Sequence, residues 1–110
     1  MHVVAWRFQV KPEHAAEFKK EYGPDGAWAK LFQRGAGFVK TDLIPNQADP
    51  AEFTTVDYWN SRDDYDRFLA ENQDEYDRLD RQFEPLTTHQ ERIRRAAAPS
   101  TRATARCRSR

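Results

Sequence analysis

The stretch FTTVDYWNSRDDYDRFL, residues 53–69, decides the fold, because it reads as a strand running straight into a helix. From about Glu52 to Trp59 the residues are β-branched and aromatic, which suits a pleated, half-buried surface. Ser61 with Asp64 then forms a Ser-x-x-acid capping box, the signature of a helix start. Beyond it Tyr65, Phe68, Leu69, Asn72, Tyr76, Leu79 and Phe83 keep a helical period, which predicts one long helix ended by Pro85. The other faces of that helix carry Asp63, Asp66, Arg67, Asp74, Glu75, Asp77, Arg78 and Arg81.

Working outward, Leu86 to Arg94 reads as a further strand, with Thr87, His89, Glu91 and Ile93 on one face. Upstream, PNQADPA (45–51) is a turn-rich loop, and Phe38 to Ile44 reads as a strand. Before it lies a two-part helical stretch. Pro12 suits a first helical turn, and Ala15, Phe18 and Tyr22 recur at helical spacing until Gly23-Pro24 breaks the helix. Asp25 is the expected cap of a second piece carrying Trp28, Leu31 and Phe32, which Gly35 and Gly37 end. The first strand is His2 to Val10, with Val4, Trp6, Phe8 and Val10 on one face and Val3, Ala5, Arg7 and Gln9 on the other.

The order βαββαβ predicts an α+β, ferredoxin-like fold: a four-stranded antiparallel sheet with its helices on one side. The far face of that sheet is only partly polar. Its simplest cover is the same face of a second copy, so a homodimer through the sheet face is expected. A chain of 110 residues has room for one domain and buries only about two thirds of its unfolded surface, which also favours a partner. The expected division is a folded domain over residues 1–94 and a disordered basic tail over 95–110.

The lone cysteine, Cys107, excludes disulfides between cysteines of one chain. The absence of a long apolar run, and a start unlike a signal peptide, lead to the expectation of a cytoplasmic protein with no membrane partner. Of 18 basic and 18 acidic residues, Arg95, Arg102, Arg106, Arg108 and Arg110 lie beyond residue 94. The remaining 13 basic against 18 acidic residues make the domain acidic, at minus five, so nucleic acid is not an expected partner.

His2, His14 and His89 stand far apart, and no Cys-x-x-Cys exists, so no metal site is expected. Asp63, Asp64 and Asp66 sit at a helix start, where carboxylates complement the dipole. Gly35-Ala36-Gly37 precedes a strand and is too short for a phosphate loop. What remains is aromatic. Rings make up 13% of the chain, enough to wall a cleft for a flat organic ligand between sheet and helices as well as to fill a core. Two residues are candidates for acid–base work. His89 lies on a strand and has an ordinary pKa of ~6.5, near neutrality. Asp57 lies in a strand where acids are disfavoured, and if it points inward it needs a partner, for which Arg7 is the obvious choice.

The pieces VVAWRFQVKP (3–12), EFKKEYGPDGAWAKLFQRGAGFVKTDLI (17–44) and FTTVDYWNSRDDYDRFL (53–69) together resemble the antibiotic biosynthesis monooxygenase domain family. The likeness covers roughly residues 3 to 93, and Trp59-Asn60-Ser61 followed by Tyr65 and Phe68 is its strongest local piece. It implies ferredoxin-like monomers paired sheet to sheet into a dimeric α/β barrel. It also implies oxidation of a small activated aromatic by molecular oxygen, with no cofactor and no metal. His89 or Asp57 would then serve as base, and Trp6, Tyr22, Trp28, Phe32, Trp59, Tyr65 and Phe68 would bind substrate. A haem-degrading branch of the superfamily uses an asparagine on the first strand and a tryptophan and histidine on the second helix. Trp6-Arg7, Phe68 and Arg78 stand at those places here, so an axial imidazole is missing. The other class left open is a non-catalytic dimeric module that binds or shelters a hydrophobic ligand, because one fold hosts both kinds.

Overall fold

The computed structural model describes residues 1–93. The tail expected over 95–110, with Cys107, and the expected strand end at Arg94 lie outside the described residues. Four strands form one antiparallel sheet in the order β2-β3-β1-β4, with β1 His2–Val10, β2 Phe38–Pro45, β3 Glu52–Trp59 and β4 Thr87–Ile93. The α+β, ferredoxin-like reading therefore holds, with β2 and β4 as the sheet edges.

Alternation in β1 does what the pattern requires. Val4, Trp6, Phe8 and Val10 are buried under the helices, while Val3, Ala5, Arg7 and Gln9 face the uncovered side. Pro12 opens a 3-10 turn, Pro12–His14, that leads into α1, Ala15–Tyr22. Phe18 and Tyr22 are the buried residues of α1, and their rings stack at 4.1 Å between centroids.

The second helical piece, α2, spans Ala27–Phe32 and buries Trp28, Ala29, Leu31 and Phe32. Its cap is not Asp25. The N-cap is Gly26, which accepts from Lys30 through its carbonyl at 3.0 Å. A Cβ at Gly26 would overlap the backbone of Lys20 and Glu21, so the close approach of the two helices demands glycine there.

The expected long helix is divided. Ser61 caps α3, Arg62–Glu71, by accepting from the Asp64 N–H at 3.1 Å, as the capping box requires. Asn72 then leaves helical geometry (φ −126°, ψ 26°), and α4 follows as Gln73–Phe83. The Asn72 side-chain amide and backbone N–H both donate to the Phe68 carbonyl, at 3.0 and 2.9 Å. Local side-chain bonding of this kind competes with helix continuation. The apolar stripe survives the break, because Tyr76, Leu79 and Phe83 still reach the core.

A 3-10 turn at Glu84–Leu86, containing Pro85, delivers the chain to β4. The core is one continuous cluster in which Trp59, Phe8, Phe18, Phe68 and Val4 are fully buried. Each such side chain contributes about 1.5–3 kcal/mol of apolar burial. Among the described residues no helix is long and apolar enough to cross a membrane.

Candidate active-site cleft between sheet and helices

Two irregularities in the sheet decide which polar groups meet the rings. In β2, Phe38 pairs with Trp59 and Lys40 pairs with Tyr58, so Val39 has no partner and bulges. One extra residue reverses the facing of everything after it. Lys40 and Asp42 therefore share the uncovered face with Tyr58 and Val56, and Thr41 and Leu43 turn under the helices with Asp57 and Thr55. In β4, Thr87 pairs with Val10 and His89 pairs with Gln9, leaving Thr88 without a partner. Thr87 thus leaves the face that His89, Glu91 and Ile93 share with Gln9, Arg7 and Ala5. Strict alternation predicted those four on one face, and the bulge removes Thr87 from the set.

Beneath the helices lies a cavity of about 30 Å³. Trp6 and Phe8 from β1, Tyr22 from α1, Trp28 and Phe32 from α2, and Tyr76 from α4 form its walls. Thr41, Thr55 and Asp57 from the sheet form its floor. The same three are the buried polar side chains of the described residues, Asp57 being 6% and Thr41 4% exposed. Polar groups inside a core are costly unless bonded. Here Thr41 Oγ1 donates to Asp57 Oδ1 at 2.7 Å.

Arg7, the partner expected for Asp57, is elsewhere. It sits on the opposite face of the sheet and pairs with Glu91 and with Glu52, the latter at 3.5 Å. A side chain at position 7 cannot reach the face of position 57, because Val4, not Arg7, stands opposite Asp57. His89 also lies on the uncovered side, 54% exposed, with its Nε2 3.3 Å from Glu91. Asp57 and His89 are therefore separated by the sheet and do not share a site within one chain.

Of the expected substrate-binding rings, Trp6, Tyr22, Trp28 and Phe32 line the cavity. Trp59, Tyr65 and Phe68 belong to a neighbouring aromatic group, joined to the first through Phe32, which meets Trp28, Trp59 and Phe68. Trp59 is fully buried, and its indole N–H has no hydrogen-bond partner among the described residues. At the rim of this second group His2 packs on Tyr65 at 5.3 Å. Burial lowers the His2 pKa from 6.5, and the nearby Arg92 and Arg62 lower it further, against a smaller opposing pull from Asp66. Phe8, Thr41, Thr55 and Tyr76 line the cavity and were not among the expected site residues. Tyr76 was legible as a ring on the helical stripe. Thr41 was not, because only the bulge turns it inward.

A second, more open cleft of about 230 Å³ runs along β4. Tyr22, Asp80, Arg81, Glu84 and residues Thr87 to Gln90 line it. It is polar and of mixed charge. Among the described residues no three His, Cys, Asp or Glu side chains gather as metal ligands.

What the buried cavity can do chemically follows from its lining. A carboxylate held among rings, with a hydroxyl bonded to it, can act as a base in a largely apolar setting. Its size is a constraint: about 30 Å³ holds roughly one or two water molecules, whereas benzene needs a cavity of order 150 Å³. An aromatic guest must displace wall side chains.

A family model described as antibiotic biosynthesis monooxygenase matches residues 1–76, from β1 into α4. The match stops short of His89. Among solved structures, a variant of SnoaB, a cofactor-independent oxygenase from Streptomyces nogalater, is similar with a TM-score of 0.65 and 22% identity, over 90% of this chain and 96% of that one. An antibiotic biosynthesis monooxygenase has a TM-score of 0.60 and 19% identity, over 90% and 100%. A conserved protein from Methanosarcina mazei has a TM-score of 0.60 and 16% identity, over 84% and 90%. At these identities the likeness is one of fold. No curated protein matches the chain.

Proposed function

The chain belongs to the antibiotic biosynthesis monooxygenase family, and from that premise we propose that it oxidises a small activated aromatic, such as a quinol or anthrone, with molecular oxygen and without a cofactor. The observation that carries the reading is Asp57: a carboxylate 6% exposed, inside a cavity walled by Trp6, Tyr22, Trp28 and Phe32. Asp57 is the base. It takes the acidic proton of the substrate, and the resulting anion is electron-rich enough to reduce oxygen directly. One oxygen atom ends on carbon and the other leaves as water: an anthrone's CH₂ becomes a C=O, a quinol becomes a hydroxyquinone, and the substrate itself supplies the electrons, so no outside reductant is needed. The protein contributes proton removal, exclusion of water and orientation between rings.

Oxygen consumption over a panel of quinols and anthrones tests this. Wild type should turn over at least one of them, and Asp57→Asn should lose at least about 100-fold in kcat. His89→Ala should stay near wild type. No turnover by wild type, or full turnover by Asp57→Asn, overturns the reading. Loss in His89→Ala alone would move the base to the other face.

The proposal includes a two-fold dimer. Val3, 47% exposed, lies with Ala5, Val56, Tyr58 and Ile93 on the face that no helix covers, beside the ion pairs of Arg7. A second copy is the cover this half-apolar face suits. A second reading, a non-catalytic module sheltering a hydrophobic ligand, is favoured by the tight filling of the cleft by rings. It predicts ligand binding with no oxygen uptake.

A further inference from the structure

We propose that Thr41 is a positioning residue for Asp57, setting both the direction of its carboxylate and its affinity for a proton. This rests on the reading of Asp57 as the base. The two residues are register partners on adjacent strands, both buried, with the hydroxyl donating across the ladder at 2.7 Å. That distance is the optimum for O–H···O, and donation to an ionised oxygen is the strong form of the bond.

The contact is built by the Val39 bulge. Without it, alternation from Phe38 would turn Lys40 and Asp42 under the helices. Either would put a second charge against Asp57 or Thr55. The bulge places a hydroxyl there instead, and leaves Lys40 on the other side over the ring of Tyr58 at 5.0 Å. Bulges beside reacting groups commonly re-aim a side chain in this way.

The hydroxyl has two consequences. It holds Oδ1 toward β2, so one carboxylate oxygen is anchored to the sheet before any guest enters. Donation to a carboxylate oxygen also favours the charged form over the neutral one, which opposes the effect of burial. The other titratable groups lining the cavity are the phenols of Tyr22 on α1 and Tyr76 on α4. The side chains that β1 and α2 contribute, such as Trp6 and Trp28, do not titrate in this range.

The test reads the Asp57 carboxyl directly, by its carbon-13 resonance as a function of pH, alongside the pH profile of kcat/KM. Thr41→Val keeps the shape and removes the donor. It should raise the Asp57 midpoint, and with it the acidic limb of the profile, by about one to two pH units. Thr41→Ser should restore both. An unchanged midpoint in Thr41→Val, or a midpoint in Thr41→Ser shifted as far as in the valine variant, overturns the proposal. If the valine variant does not fold, Thr41→Ala carries the same prediction. The resonance is measured without substrate. Full turnover by Asp57→Asn would therefore overturn the base assignment while leaving the Thr41 effect readable.

Discussion

Asp57 is costly where it stands, since a carboxylate in the middle of a strand, under side chains of α1, α2 and α4, gives up its hydration. A residue of that kind persists where its surroundings hold it, and the Thr41 hydroxyl is one such hold. His2 presents the reverse case at the rim. Its neutral form is favoured by burial against Tyr65 and by Arg92 and Arg62. The folded chain therefore takes up a proton at His2 at lower pH than the unfolded chain does. Below about pH 6.5 the unfolded state binds more protons, so stability falls as pH drops. Urea unfolding at about pH 7.5 and about pH 5 should show this loss, and His2→Gln should reduce it. An identical pH dependence in the variant would show that other groups carry it.

At the scale of elements, turns and caps do most of the positioning. Ser61 bonds the first turn of α3, and α3 carries Phe68 and Tyr65 against Trp59. Ser61→Ala should cost about 1 kcal/mol in urea unfolding, and Ser61→Asp should keep most of it. Loss of less than a few tenths would show the cap to be redundant with Asp63 and Asp64 at the same helix end. The limits of β1 and β3 are legible in the sequence to the residue, because alternation and β-branching speak for themselves there. The break at Asn72 is not, since the apolar stripe continues across it and periodicity has no reason to stop. The faces of β2 and β4 are not legible either. Phe38-Val39-Lys40 alternates acceptably in more than one phase, and only pairing with Trp59 and Tyr58 selects the bulged one. That is why Thr41 was absent from the expected site, and why a strictly alternating β4 could not show that Thr87 and His89 part company.

For the whole molecule, the sheet has one face closed by rings and one face that no helix covers. The proposed dimer should appear in light scattering at micromolar concentration as twice the chain mass of 12.9 kDa. Val56→Lys, which puts a cation in the middle of the uncovered face, should give the single-chain mass. A single-chain mass for wild type would refute the pairing. The two bulges lie on the two outer strands, and each is one residue long. In the gene, each amounts to one codon. Loss of the codon for Val39 would change no other amino acid, and it would join Phe38 directly to Lys40, so that Lys40 and Asp42 stay on the uncovered face and Thr41 stays beside Asp57 in an unbulged ladder. The facing of the cleft thus survives that three-nucleotide deletion, since only the unpaired residue is lost. A gap at this position in a homologue would therefore mark the loss of a bulge and not a change in the cleft.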